Sequence, residues 1–135
     1  MNKKSLTETD IRTKFITPSL VQGGKWHLMT QIREEYYITK GRVTVRGKTV
    51  KRGQARKVDY LLFYKPGIPI AVIEAKDNNH SLGDGMQQAL DYAEILDVPF
   101  AFSSNGDGFL EHDRTGAAAT VERELPLDQF PSPAE

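Results

Sequence analysis

The stretch PGIPIAVIEAKDNN, residues 66–79, is an apolar run that ends on two opposite charges. Ile68 to Ile73 is short, β-branched and flanked by Gly and Pro, which is the composition of a buried strand. Glu74 and Lys76 follow directly, and because strand side chains alternate, both point to one face. On the other side of Pro66-Gly67, Val58 to Tyr64 is a second apolar run, so the two predict a hairpin. A symmetric turn sets Asp59 opposite Glu74, and opposed residues of an antiparallel pair share a face with Cβ atoms about 5 Å apart. An irregular turn at Pro69 would slip the register by one residue and carry Asp59 to the other face.

Outward from this hairpin the pattern becomes mixed. Residues 5–21, SLTETDIRTKFITPSLV, predict a helix capped by Ser5 or Thr7 and kinked or ended by Pro18. Gly23-Gly24 then breaks the chain. Ile32 to Ile38 reads as a strand, and GRVTVRGKTVKRG, residues 41–53, alternates Val with charge around Gly47 as a hairpin does. Ser81 to Leu96 predicts an amphipathic helix with Leu82, Met86, Ala89 or Leu90, Ala93 and Leu96 on its buried stripe. VPFAFSSNGDGFLEH, residues 98–112, reads as strand, tight turn and strand. From Leu125 the text is Pro-rich and aperiodic. This predicts a folded unit over residues 1–125 and a linker over 126–135. The order of elements implies an α/β or mixed α+β sheet flanked by helices.

Composition narrows the function classes. A chain of 135 residues, 39% hydrophobic and 27% charged, is long enough for one domain with a real core. No apolar run approaches the roughly 18 residues of a membrane helix, and MNKKSLTETD lacks a signal peptide's apolar core. The absence of Cys excludes disulfides, thiolate metal sites and Cys nucleophiles, and is compatible with a cytoplasmic location. The zero formal net charge conceals a ribbon with no acid in it: Lys40, Arg42, Arg46, Lys48, Lys51, Arg52, Arg56 and Lys57. The rest of the chain therefore carries the matching excess of acid. Such a ribbon is either a solvated hairpin or a surface for a polyanion such as a nucleic-acid backbone.

Three carboxylates, Glu8, Asp59 and Glu74, are candidates to be weighed together. Asp59 and Glu74 sit in apolar strands, where unpaired charge is costly. A hard divalent cation such as Mg²⁺ would compensate them, with the Ala75 carbonyl, water and phosphate completing its shell. Lys76 would face the same site and offset phosphate charge or orient a water. The plainer reading is a salt bridge at a strand edge. Gln88 and Tyr92, four residues apart, share a helix face and either hydrogen-bond a phosphate or form a polar stripe. His27, His80 and His112 lack metal-ligand spacing. Ser103, Ser104 and Asn105 read as a capped turn, and Trp26, Tyr36 and Tyr37 as packing residues.

VDY at 58–60, IEAK at 73–76 and QALDY at 88–92 resemble the PD-(D/E)xK nuclease pattern with its QxxxY helix motif. TETDIRTKFITPSL, RKVDY, IEAKD and VPFAFSSNGDGFLEHDRTG further resemble the N-terminal nuclease domain of type I restriction enzyme R subunits, over roughly residues 6–116. The resemblance implies a restriction-endonuclease-like core with a central mixed sheet, and an endonuclease acting on double-stranded DNA without sequence preference of its own. It implies Mg²⁺, or Mn²⁺ as substitute, on Asp59 and Glu74 with Glu8 assisting. It also implies a catalytic lysine at Lys76 and the QxxxY pair at Gln88 and Tyr92. Modification and specificity subunits are the implied partners, and ATP serves only the motor of a full-length parent. Val58 stands where the nominal motif has Pro, and no GxxxxGK[ST] phosphate loop is present. The alternatives are a stand-alone repair-type nuclease of the same superfamily and a non-catalytic DNA-binding or docking module on its fold.

Overall fold

A computed structural model describes residues 3–22, 25–38, 56–116 and 121–133. Its frame is a mixed six-stranded sheet whose spatial order follows the chain: β1 (Ile32–Ile38), β2 (Arg56–Lys65), β3 (Ile68–Ala75), β4 (Phe100–Ser104), β5 (Gly108–Asp113) and β6 (Glu122–Pro126). Neighbours are antiparallel except β3 and β4, which are parallel and joined through a helix, α4 (Met86–Leu96). The α/β class and central mixed sheet read from the sequence are those of the structure.

The decisive hairpin forms as its apolar runs require. Tyr60 pairs with Ile73, Leu61 with Val72 and Leu62 with Ala71. Pro69 has no N–H for the ladder, and the pairing slips at Phe63 and returns at Lys65. The two shifts cancel, so beyond Leu62 the register is that of a symmetric turn.

Both faces of the sheet are covered, which explains the continuous apolar character of β3. On one face Tyr60, Leu62, Ile73, Phe102 and Phe109 pack with Ile11, Ile16 and Leu20 of the N-terminal helical segment and with Trp26 just after it. On the other, Leu61, Val72 and Ala101 pack with Met86, Ala89, Tyr92 and Ala93 of α4.

Thr7 caps α1 (Glu8–Ile11) in a reciprocal box with Asp10. The helical path does not end at Pro18. Residues Arg12–Ile16 widen into a π turn, with the Thr17 N–H reaching the Arg12 carbonyl, and α2 (Thr17–Val21) continues beyond it. A wide turn ahead of Pro18 accommodates the missing N–H and the bulk of its ring. A short α3 (Leu28–Gln31) leads into β1.

Two boundaries differ from expectation. The helix predicted from Ser81 begins only at Met86, because Ser81 closes a turn on the Asp84 carboxylate and two glycines, Gly83 and Gly85, interrupt helix propagation. The Pro-rich end predicted as a linker packs against the fold through residues 126–131. Pro126 pairs with Gly108, and Phe130 is 1% exposed, with ring centroids 4.6 Å from Phe102 and 4.8 Å from Phe109. The Trp26 indole N–H donates to the Pro131 carbonyl at 2.8 Å. Composition misleads here because one well-placed aromatic, worth roughly 1.5–3 kcal/mol of burial, suffices to anchor an aperiodic segment.

Trp26 packs as expected, whereas Tyr37 is exposed while its neighbour Tyr36 is half-buried, since adjacent strand residues face opposite ways. The predicted hairpin of residues 41–53 lies outside the described residues, as do six of the eight ribbon cations, Lys40 to Arg52. Among the described residues no helix is long and apolar enough to cross a membrane.

Candidate active site

The site grows from a fault in strand alternation. Tyr60 and Leu62 face one core, Leu61 the other, yet Val58 sides with Leu61. The alternation therefore breaks between Val58 and Tyr60, where Asp59 lies. On the neighbouring strand the same break falls at Glu35, whose φ of 54° is a left-handed conformation that non-glycine residues rarely adopt. Register on either side is unchanged: Glu34 pairs with Tyr60, and Tyr36 with Val58.

At this break Asp59 and Glu74, each 3% exposed, interlock through backbone amides. The Asp59 N–H donates to Glu74 Oε2 at 3.0 Å, and the Ala75 N–H donates to Asp59 Oδ2 at 2.8 Å. Asp59, Glu74 and Ala75 are thus brought together. Burial pushes the Glu74 carboxyl up to about 9, with the Asp59 charge as the second cause.

Glu8, half-buried on α1, is raised from the usual carboxylate range by burial and then by Asp59, while Lys76, Arg12 and Lys57 pull it down. It therefore faces the same cluster. Lys76 leaves the end of β3 with its N–H on the Ser104 carbonyl at 2.9 Å and its side chain half-buried. Lys57, the ribbon cation whose side chain is described, stands 3.9 Å from Glu35.

Glu74 also lies under the start of α4. A Cβ on Gly85 would sit 3.3 Å from Glu74 Cβ and 3.1 Å from Ser103 Oγ, so only glycine lets the helix approach this closely without displacement. Ser103 Oγ accepts the Gly85 N–H and donates to the Leu82 carbonyl, fixing that approach. One turn further on, Gln88 Nε2 donates to the Tyr92 hydroxyl at 2.9 Å. Gln88 is exposed, whereas Tyr92 is buried on the face of α4 that packs against the sheet.

The fit to a divalent cation can be tested on this geometry. Two adjacent buried carboxylates are the donors a hard cation takes, binding it in their deprotonated form, and the Ala75 carbonyl is the adjoining oxygen. Among the described residues no three of His, Cys, Asp and Glu are close enough to hold an ion together, so Glu8 stands back from the pair. Water and phosphate oxygens would supply the remaining ligands, as is usual for Mg²⁺.

Two participants escape a reading of the sequence. Arg12, 5% exposed, donates from Nη2 to Glu35 Oε2 at 2.7 Å, and its Nη1 lies 3.8 Å from Asp59 Oδ1. The spacing of Arg12 four residues after Glu8 was the available signal, since both fall on one helix face. Glu35 carried none, because a left-handed backbone at a Glu has no sequence signature.

Other polar features are structural. His80 contacts Asp77 and His112 contacts Glu122 at the surface, while His27 is exposed. Ser104 and Asn105 cap their own turn. A cavity of about 510 Å³ lined by Trp26, Tyr64, Phe100, Glu111 and Phe130 includes none of the acids at the break.

Comparisons with known proteins converge on one group. The family model for the type I restriction enzyme R protein N terminus matches residues 36–119. The type I restriction enzyme EcoAI endonuclease subunit of Escherichia coli is 50% identical over 136 residues, covering 100% of this chain and 17% of that protein. A fragment structure assigned to an HsdR subunit of a type I restriction enzyme from Vibrio vulnificus aligns with a TM-score of 0.78 and 45% identity. That alignment covers 96% of this chain and 24% of the other.

Proposed function

This chain belongs to the family of type I restriction enzyme R protein N termini, and on that premise we propose that it is a Mg²⁺-dependent endonuclease domain hydrolysing DNA phosphodiesters without reading sequence. It spans only about a sixth of the E. coli relative, so the remaining parts of the reading concern a larger enzyme. There, modification and specificity subunits choose the site, and an ATP-driven motor delivers double-stranded DNA. The observation that carries the reading is the interlocked Asp59–Glu74 pair, two buried carboxylates each held by a backbone amide of the other's strand.

Asp59, Glu74 and the Ala75 carbonyl would hold the cation, with Glu8 reaching it through water. A bound divalent ion supplies Lewis acidity toward a phosphoryl oxygen and eases deprotonation of water near neutral pH. The side chains do the remainder. The buried strands exclude bulk water behind the pair, which strengthens every charge interaction in front of it. Lys76 orients the attacking water and offsets charge that builds on the phosphate. Gln88 and Tyr92, already joined by a hydrogen bond, present an amide and a hydroxyl to a phosphate oxygen. The ribbon from Lys40 to Lys57 holds the DNA backbone, a contact that positions without specifying sequence.

The experiment is Lys76→Ala in the complete R subunit assembled with its partners. DNA cleavage should disappear while DNA-stimulated ATP hydrolysis persists. Cleavage at the wild-type rate would sink the assignment of Lys76, and normal cleavage by Glu74→Ala as well would leave a docking module as the better reading.

A further inference from the structure

Arg12 is the buried guanidinium among the described residues, and it is poorly satisfied. Nη2 is committed to Glu35, but Nε and Nη1, both sealed from solvent, have no hydrogen-bond partner. Nη1 stops 3.8 Å from Asp59 Oδ1, within ion-pair range but beyond a hydrogen bond. A buried donor left without a partner is destabilising, and more so on a charged group. The contact with Glu35 carries a second cost, because Glu35 sits at φ 54°. A residue needed only to tie the N-terminal helices to β1 would do so better at the surface.

What distinguishes this place is the oxygen it faces. Asp59 Oδ2 is taken by the Ala75 N–H, so Oδ1 is the oxygen turned toward Arg12. Glu8, one helical turn before Arg12, feels the same positive charge, and Lys57 approaches the same Glu35 oxygen at 3.9 Å. A divalent ion bound through Oδ1 would therefore meet the charge of the guanidinium 3.8 Å away from that oxygen.

We propose that Arg12 is a built-in counter-cation, a positioning residue that steadies Asp59 when no metal is bound and weakens metal binding there by charge repulsion. This rests on the reading of Asp59 and Glu74 as metal ligands. Its consequence is that the site holds metal weakly until a DNA phosphate arrives, since phosphate adds the negative charge that offsets Arg12. Metal occupancy is thereby coupled to substrate, which restrains an enzyme whose cleavage is not limited by sequence.

The test is Mn²⁺ titration of the 135-residue chain without DNA, comparing wild type, Asp59→Ala, Arg12→Gln and Arg12→Lys. Arg12→Gln should bind Mn²⁺ about tenfold more tightly than wild type, the size expected for removing one cation near a divalent ion in a partly screened site. Arg12→Lys, which keeps the charge, should return toward wild-type affinity. A purely structural Arg12 would weaken binding when replaced, so equal or weaker affinity in Arg12→Gln overturns the proposal. Equal binding by wild type and Asp59→Ala would instead overturn the metal-site reading, and this proposal with it. Should Arg12→Gln fail to fold, Glu35→Gln on the exposed side leaves Arg12 with Asp59 alone. Mn²⁺ binding should then fall by about tenfold, and unchanged affinity refutes the counter-cation role.

Discussion

Replacing Glu74 by Gln should make the metal-free protein more stable at neutral pH. Glu74 titrates near 9 in the fold against an ordinary 4.5, chiefly because it is buried and then because Asp59 is charged. The folded state therefore binds a proton that the unfolded chain releases, and stability falls as pH rises from about 4.5 toward 9. Each pH unit crossed is worth about 1.4 kcal/mol, so at pH 7.5 Glu74 withholds at most about 4 kcal/mol. Relaxation around the pair lowers this, and we expect Glu74→Gln to gain about 1–3 kcal/mol at pH 7.5. Gln keeps an oxygen for the Asp59 N–H, which Glu74 Oε2 accepts at 3.0 Å. For a chain of this size the gain is about 3–5 °C in Tm per kcal/mol. The assay is thermal unfolding from pH 4.5 to 9 with chelator present. The gap should close below about pH 5 and widen above it. A Glu74→Gln variant less stable than wild type at pH 7.5, or offset equally at every pH, refutes the reasoning.

Two further outcomes concern the outer parts of the fold. Phe130→Ala should cost about 3–5 kcal/mol in urea denaturation, as for a buried aromatic; a loss below about 1 kcal/mol would return residues 126–133 to linker status. Replacing Arg46, Lys48, Lys51 and Arg52 with Ala should weaken DNA binding and flatten its dependence on salt by several units of slope, measured by fluorescence anisotropy across a salt series. An unchanged slope would make the ribbon a solvated surface.

The sheet's central hairpin was legible because two apolar runs meet at Pro66-Gly67 and leave little freedom in register. Even the irregularity at Pro69 cancels before Leu62, so the partners near Asp59 are those of a symmetric turn. Asp59 and Glu74 followed from that register together with the cost of charge in apolar strands. The start of α4 was not legible, since Leu82 fits a helical stripe while Gly83, Gly85 and the Ser81–Asp84 contact favour a turn. Phe130 was hidden by its prolines. The contact of Arg12 with Glu35 joins residues far apart in the chain through a left-handed backbone, and pattern reading has no access to either.

The proposed sharing of a divalent ion by Asp59 and Glu74 can be seen directly. Soaking a crystal of the 135-residue chain with Mn²⁺ and recording anomalous scattering tests it most directly. A peak should lie about 2.0–2.4 Å from an oxygen of each carboxylate and beside the Ala75 carbonyl. No peak at the pair, with Mn²⁺ bound elsewhere on the same molecule, would contradict the claim.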